Sequence, residues 1–263
     1  MRFAREGYPF IAAGLVLSGT AWVAEWVFGG PAGGWVWPTV AGLLSVLALF
    51  VVWFFRDPDH PLPSDPAHVV APGQGKIIVM DEVDEPTFMR GACRKISIFL
   101  SIFDVHVQRA PVSGTVTHRV YRPGRDAVAW ADKASEDNEQ ASLGFMTRRG
   151  RVLVRQIAGL VARRIVTYPR EGDTVARCDR IGIIRFGSRV DLFLPLDWEV
   201  TCKVGDRAVA GLTVLARQPV ARAGAAGTTG TAGTTGTAGT AGTAGTAETT
   251  AAGDGGRTGE ERT

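Results

Sequence analysis

The sequence predicts a mainly β domain tethered to a membrane by an N-terminal pair of transmembrane helices. Three observations carry that prediction. Residues 8–28 and 35–55 are two long apolar segments with almost no charge. Residues 69–216 consist of short runs rich in Val, Ile, Leu and Phe, punctuated by Gly, Pro and Asp. Residues 221–252 are nearly all Ala, Gly and Thr, a composition that buries no core.

Each apolar segment is long enough to cross a hydrocarbon core of about 30 Å as a helix. The second carries no charge at all. The first carries Glu25 near its far end, beside Trp22 and Trp26, which reads as an interfacial aromatic belt. Between them, Gly29-Gly30-Pro31-Ala32-Gly33-Gly34 breaks helices, so the pair forms a hairpin. Arg2 and Arg5 precede the hairpin and Arg56 follows it. That bias places both ends, and the domain that follows, on the cytoplasmic side of the cell (inner) membrane. A cleaved signal peptide would explain only the first segment. A shallow re-entrant hairpin is the milder alternative to a true span. The expected boundaries are an anchor over 1–57, a linker over 58–68 stiffened by Pro58, Pro61, Pro63 and Pro66, a β domain over 69–220 and a disordered tail over 221–263.

Within the β domain, strands are expected at 76–80, 95–100, 105–108, 115–120, 152–157, 164–167, 181–186, 190–194 and 209–215, with one short helix within 132–140. Two echoes organise them. Ala71-Pro72-Gly73-Gln74-Gly75-Lys76-Ile77 parallels Ala110-Pro111-Val112-Ser113-Gly114-Thr115-Val116, and Gly172-Asp173-Thr174-Val175 parallels Gly205-Asp206-Arg207-Ala208-Val209. Each is a turn that opens a strand. Paired turns of this kind resemble the two halves of a lipoyl- or biotinyl-like module. The expected fold class is therefore mainly β, a barrel/lipoyl-like β-sandwich hybrid behind the helical hairpin. Such a fold names no chemistry by itself.

Composition narrows the chemistry. The net charge is +3, and the basic side is almost all Arg, with lysine only at Lys76, Lys95, Lys133 and Lys203. Arginine suits forked contacts to phosphate or carboxylate, and anionic headgroups at a membrane. No basic run interleaves with aromatics, which argues against a nucleic-acid partner. The three cysteines, Cys93, Cys178 and Cys202, are odd in number and contain no Cys-x-x-Cys pair, so they read as free thiols in a reducing compartment. Metal-ligand spacings, phosphate-binding loops, dinucleotide fingerprints and the Gly-x-Ser-x-Gly elbow are all absent from the sequence.

Two stretches stand out as candidate sites. In the first, the apolar runs around Ile183-Ile184 and Leu192-Phe193-Leu194 flank Gly187-Ser188. Gly187 has backbone freedom and leaves its carbonyl open, and the Ser188 hydroxyl follows directly. The bland reading is a strand bulge. In the second, Asp104, His106 and Gln108 alternate with Val105 and Val107, so a strand would present all three on one face. That face is either exposed or lines a site. The run 132–140 is polar, and its bland reading is a solvated loop or helix.

Five blocks lift these above the bland readings: Phe-Phe-Arg-Asp-Pro (54–58), Asp-Val-His-Val-Gln-Arg-Ala-Pro-Val-Ser-Gly (104–114), Asp-Lys-Ala-Ser-Glu-Asp-Asn-Glu (132–139), Gln-Ile-Ala-Gly-Leu-Val-Ala-Arg-Arg-Ile (156–165) and Phe-Gly-Ser-Arg-Val-Asp-Leu-Phe-Leu-Pro (186–195). In this order they resemble the phosphatidylserine decarboxylase family, in its short membrane-associated bacterial form. The resemblance implies a proenzyme that cleaves itself between Gly187 and Ser188. The products would be a β chain, 1–187, and an α chain, 188–263. The α chain would begin with a pyruvoyl group made from Ser188, the covalent cofactor, which forms a Schiff base with the serine headgroup of a phospholipid in the membrane. The implied products are phosphatidylethanolamine and carbon dioxide. His106 is implied as the acid–base residue with Asp104 beside it, and Arg109, Asn138 and Glu139 as substrate contacts; a homo-oligomer is compatible with this reading. Where the wider family often has Pro-Ala-Asp-Gly, this chain has Pro72-Gly73-Gln74-Gly75, and Arg109 stands where longer members carry a second histidine. The alternatives are decarboxylation of another phosphoserine lipid, such as an archaeal-type ether lipid, and a membrane-tethered β scaffold that does not cleave.

Overall fold

The computed structural model describes residues 2–28, 34–61, 63–124, 138–159, 164–185 and 187–219. The expected tail, 221–263, and residues 132–137 of the expected short helix lie outside the described residues.

The chain opens with β1 (Arg2–Phe3), then α1 (Tyr8–Phe28), α2 (Val36–Phe54) and β2 (Arg56–Asp57). The two helices are long and apolar enough to cross a membrane. Most of their large apolar side chains, including Leu17, Val23, Leu43 and Leu49, are exposed in the protein alone. They meet through small residues, as helices do when lipid competes for apolar contact. Ala41 and Ala48 are buried, and a Cβ on Gly14 would lie 3.4 Å from Ala48. The Ser18 and Ser45 hydroxyls bond at 2.8 Å, and Trp22 Nε1 donates to Ser45 Oγ at 3.0 Å.

At the foot of this hairpin the N-terminus folds back. Arg2 pairs with Asp57 and Phe3 with Arg56 across β1 and β2, and the Ala4 N–H donates to the Phe55 carbonyl at 2.9 Å. Phe54 and Phe55 are fully buried there, in a small core with Ala4, Val105, Val107 and Ile183.

The rest is β structure. Its first half holds β3 (His68–Val70), β4 (Gly75–Glu85), β5 (Gly91–Leu100), β6 (Val107–Arg109), β7 (Gly114–Arg122), β8 (Gln140–Thr147) and β9 (Gly150–Ala158). Its second half holds β10 (Ile165–Thr167), β11 (Thr174–Val175), β12 (Arg180–Ile184), β13 (Ser188–Leu194), β14 (Glu199–Val200), β15 (Arg207–Ala208) and β16 (Val214–Arg217). An antiparallel sheet in the order β11-β7-β8-β9-β13-β5-β4-β15 curls into a half-barrel. Two three-stranded sheets, β10-β12-β6 and β14-β16-β3, complete the fold. The mainly β class is as expected.

The internal echoes are structural. The Gly205 N–H donates to the Ile77 carbonyl at 2.9 Å, and Ile77 N–H to Asp206 at 2.9 Å. In the other half, the Gly172 N–H donates to Val116 at 2.8 Å, and Val116 N–H to Asp173 at 2.9 Å. Each Gly-Asp turn thus caps the strand opened by the matching Ala-Pro turn.

Two expectations change. The 209–215 strand is a turn followed by β16: the Leu212 and Thr213 N–H groups both donate to the Val209 carbonyl, and Gly211 takes φ +74°. Residue 140, placed at the end of a helix, instead opens β8, which pairs with β7 and β9 along its whole length.

β13 lies between β5 and β9 and is buried from end to end. Val190, Leu192 and Leu194 enter the main core beside Ile96, Ile98 and Leu100. On the opposite face the Arg189 guanidinium holds Asp191 at 2.6 and 3.0 Å and donates to Ser97 Oγ at 3.0 Å. An isolated charge would be far more costly in that position.

The hairpin is fastened to the β domain by charge. Asp57, 1% exposed, accepts from Arg109 of β6 and from Arg180 of β12. Arg109 also donates to the Pro58 carbonyl at 3.2 Å and to the Cys178 carbonyl at 3.3 Å. Removing one partner of a buried pair costs about 3–5 kcal/mol, because the other charge is left without compensation. Asp57→Ala should therefore cost about 3 kcal/mol in denaturant unfolding of the detergent-solubilised chain. A loss below about 1 kcal/mol, the range of an exposed pair, would contradict the role given to Asp57.

Candidate active site

The end of β13 is where the backbone changes character. Ser188 is paired on both sides, opposite Leu100 of β5 and Ala158 of β9. One residue earlier, Gly187 takes φ +71°, a left-handed conformation that L side chains rarely adopt. A Cβ there would meet only Ile102 Cγ2, at 4.0 Å, so the backbone angle requires the glycine rather than crowding.

Both polar atoms of Gly187 are engaged. Its carbonyl accepts from the Gly159 N–H at 3.2 Å, and its N–H donates to His106 Nε2 at 3.3 Å. By strand alternation Ser188 points to the core face, with Val190. Its Oγ is buried and has no hydrogen-bond partner among the described residues. Leaving a buried hydroxyl unsatisfied costs about 1–3 kcal/mol, so this atom is held in a costly state directly beside a polarised carbonyl.

His106 is fully buried just before β6. Its Nδ1 lies 2.9 Å from the backbone carbonyl of Asp104. A carbonyl can only accept, so Nδ1 carries the proton and Nε2 presents its lone pair to Gly187. The Phe54 ring lies 4.3 Å from the imidazole, centroid to centroid. Burial above all, with a smaller push from the Arg56 charge, brings the His106 pKa down to about 4 against the pull of Asp104. The ring is therefore neutral at physiological pH.

The segment containing His106 is fixed from behind. The His106 carbonyl accepts from Gln108 Nε2 at 2.7 Å. Gln108 accepts from Gln156 at 2.9 Å, and Gln156 from Thr167 at 3.0 Å. Asp104, His106 and Gln108 are all buried, so the exposed-face reading does not hold. The Asp104 carboxylate also turns away from the imidazole. It accepts from the Ser101 N–H and hydroxyl, at 2.9 and 2.7 Å, and from Arg207. Asp104 thus orients His106 through its main chain. The ring is held without an acid at position 74.

Asn138 and Glu139 bond to Ala158, the residue paired with Ser188. Asn138 Nδ2 donates to the Ala158 carbonyl at 2.7 Å, the Glu139 carbonyl accepts from the Ala158 N–H at 2.9 Å, and Glu139 Oε1 accepts from the Ile165 N–H at 3.2 Å. Together they fix the segment that presents the Gly159 N–H, a donor with no side-chain signal in the sequence. Arg109 is brought to Asp57 and not to Ser188. On the other face of the half-barrel a cleft of about 440 Å³ is lined by Glu85, His118, Arg155 and Asp191 among others; neither Ser188 nor His106 lines it.

A buried, unpartnered serine hydroxyl thus follows a glycine whose N–H meets a neutral histidine and whose carbonyl meets a backbone donor. The comparisons with known proteins name the family. Residues 47–216 match the family model for phosphatidylserine decarboxylase. The chain is 48% identical over 217 residues to the phosphatidylserine decarboxylase proenzyme of Symbiobacterium thermophilum, covering 82% of this chain and 95% of that one. The proenzyme of Salinibacter ruber is 44% identical, with 80% and 90% covered, and that of Geotalea uraniireducens 42%, with 82% and 96% covered. The chain belongs to the phosphatidylserine decarboxylase family.

Because native His106 binds a proton less tightly than the unfolded chain does, stability should fall as pH drops from about 6.5 towards 4. Unfolding midpoints of Ser188→Ala, an intact chain, should show that slope, and adding His106→Gln should flatten it. An unchanged slope would mean that His106 is not the group responsible.

Proposed function

We propose that this chain is a proenzyme that cleaves itself between Gly187 and Ser188, and that the processed protein decarboxylates phosphatidylserine to phosphatidylethanolamine at a membrane. The observation that carries the reading is the orphaned Ser188 Oγ beside the Gly187 carbonyl, to which Gly159 already donates.

The chain's own residues account for the cleavage. For cleavage, His106 Nε2 gives up the Gly187 N–H and takes the proton from Ser188 Oγ as that oxygen attacks the Gly187 carbonyl carbon. Negative charge grows on the Gly187 oxygen, where the Gly159 N–H lies ready and needs no reorganisation. Breaking the Gly187–Ser188 amide bond transfers the acyl group to oxygen, giving an ester. Loss of the residue 188 Cα proton eliminates 1–187 as a carboxylate and leaves dehydroalanine at the head of 188–263; its imine tautomer is hydrolysed by water, releasing ammonia and giving the pyruvoyl group. The buried hydroxyl fits that conversion, and the pairing of β13 with β5 and β9 would hold the new terminus beside His106. The pyruvoyl group supplies an electron sink for loss of carbon dioxide from an amine-bearing headgroup.

The membrane placement supports a lipid substrate. His106 touches Phe54, the last residue of α2, and the exposed Phe103 packs edge-on against Phe50 of the same helix, at 6.4 Å. The reacting groups therefore lie at the level where an apolar helix ends and headgroups begin. With Arg2, Arg5 and Arg56 at that level, we place the β domain on the cytoplasmic side of the cell membrane.

Intact-mass measurement of the purified protein should give two chains divided before residue 188, and Ser188→Ala should give one. A single uncleaved wild-type chain would overturn the reading. His106→Ala should slow cleavage by about 10²–10⁴-fold. The acid limb of wild-type cleavage should fall near pH 4, not near 6.5, since the neutral ring persists down to that pH. Assaying phosphatidylserine and an ether-linked phosphoserine lipid with one preparation separates the two substrate readings.

A further inference from the structure

The Phe-Phe-Arg-Asp-Pro block joins the second apolar helix to the β domain, and each of its residues has a specific partner. Phe54 lies against the His106 imidazole at 4.3 Å, with 36° between the rings. Phe55 packs on Gly7 so closely that a Cβ there would lie 2.4 Å from its ring. It also stacks on Phe10 of α1 at 5.6 Å. Arg56 donates to the carbonyls of Trp53 and Phe103, at 2.8 and 2.7 Å, and its guanidinium sits 4.0 Å over the Trp53 ring. Asp57 takes Arg109 and Arg180, and the Pro58 carbonyl takes Arg109 again.

Arg109 is the last residue of β6, and His106 lies just ahead of that strand. The Arg56 bond to Phe103 reaches the same segment from the other side, one residue before Asp104. The block therefore grips the His106 segment at both ends and lays Phe54 over its middle.

We propose that Phe54, the last residue of a membrane-crossing helix, is a positioning residue that seals the His106 imidazole from water and fixes its plane, so that Nε2 faces the Gly187–Ser188 junction. The hairpin is then part of the reacting site as well as a tether. This rests on the self-cleavage reading above.

The groups around the ring support it. Two polar atoms bond the imidazole: the Asp104 carbonyl at Nδ1 and the Gly187 N–H at Nε2. The charged groups nearby are Arg56, occupied by two carbonyls, and the Asp104 carboxylate, occupied by Ser101 and Arg207. Among the described residues no carboxylate bonds the ring, and its Phe54 face is covered by a side chain that is itself buried. Burial, the first cause of the depressed His106 pKa, is supplied on that side by the helix end. Removing the ring opens a space where solvent can stabilise the imidazolium.

The test uses the full chain in detergent micelles or lipid nanodiscs. In the Ser188→Ala background the chain stays intact, so the His106 titration can be followed by NMR of isotopically labelled histidine, assigned by its loss in His106→Gln. Adding Phe54→Ala should raise the ring's proton affinity by at least about tenfold, one pH unit in the midpoint. Phe54→Leu, which keeps the site dry without an aromatic ring, should bring the midpoint back down. With Ser188 present, Phe54→Ala should slow cleavage and move its acid limb upward by the same interval, and Phe54→Leu should recover much of the rate. A folded Phe54→Ala chain whose midpoint and acid limb match the parent overturns the proposal. Failure of the parent to cleave overturns the self-cleavage reading instead. The titration is read in the uncleavable background, so it tests the seal separately.

Discussion

Strand β13 is hydrogen-bonded along both edges up to its first residue, and the site depends on that constraint. Ser188 has no freedom to move, because Leu100 and Ala158 hold its backbone from either side. The chain must nevertheless enter the strand from a direction the sheet does not provide. Gly187 makes the turn with φ +71°. Its carbonyl is met by the N–H of Gly159, the residue just after β9 and next in register to the Ser188–Ala158 pair. Had the pairing ended one residue later, Ser188 could rotate to find a partner. The unsatisfied hydroxyl and the polarised carbonyl share this cause.

His106 shows the same economy in electrostatics. A buried histidine must be neutral or paired, and no carboxylate is offered to it. Asp104 is adjacent, yet it spends its charge on Ser101 and Arg207 and gives the ring only its main-chain oxygen. A carboxylate at Nδ1 would favour the imidazolium. A carbonyl fixes the tautomer and leaves the ring a neutral acceptor, the form a proton-accepting role requires.

Much of this was legible in sequence, and what was not has a common reason. The helices, the paired Ala-Pro and Gly-Asp turns and the strands on either side of Gly187 follow local pattern. So does the i, i+2 relation that puts Arg189 and Asp191 on one face. β8 was missed because its signal is weak. Gln140, Ala141, Ser142 and Gly144 are poor strand formers, and they pair only because β7 and β9 enclose them. Gly159 was invisible because it contributes a main-chain N–H, and any residue but proline has one. The substrate roles read into Arg109, Asn138 and Glu139 came from resemblance alone, and their partners in space are Asp57, Ala158 and Ile165. In sequence Asp57 is one acid ahead of Pro58. Only the meeting of β6 and β12 reveals that it holds two arginines.

Two of the buried acids, Asp57 and Asp191, do different work for one reason of position. Asp191 and Arg189 lie on the same strand two residues apart, so their pair forms whenever β13 forms and ties nothing distant together. Asp57 draws its arginines from two other strands, 52 and 123 residues further along the chain. Its pairs can form only once the hairpin foot and the β10-β12-β6 sheet have met. The first pair makes a charged strand tolerable in a core; the second makes the arrival of the anchor a condition for the geometry around His106. A chain whose β domain folded without its helices would keep β13 and Ser188 but would lack Phe54 on the imidazole. The dry, neutral histidine is therefore a property of the whole chain, and no single domain holds it alone.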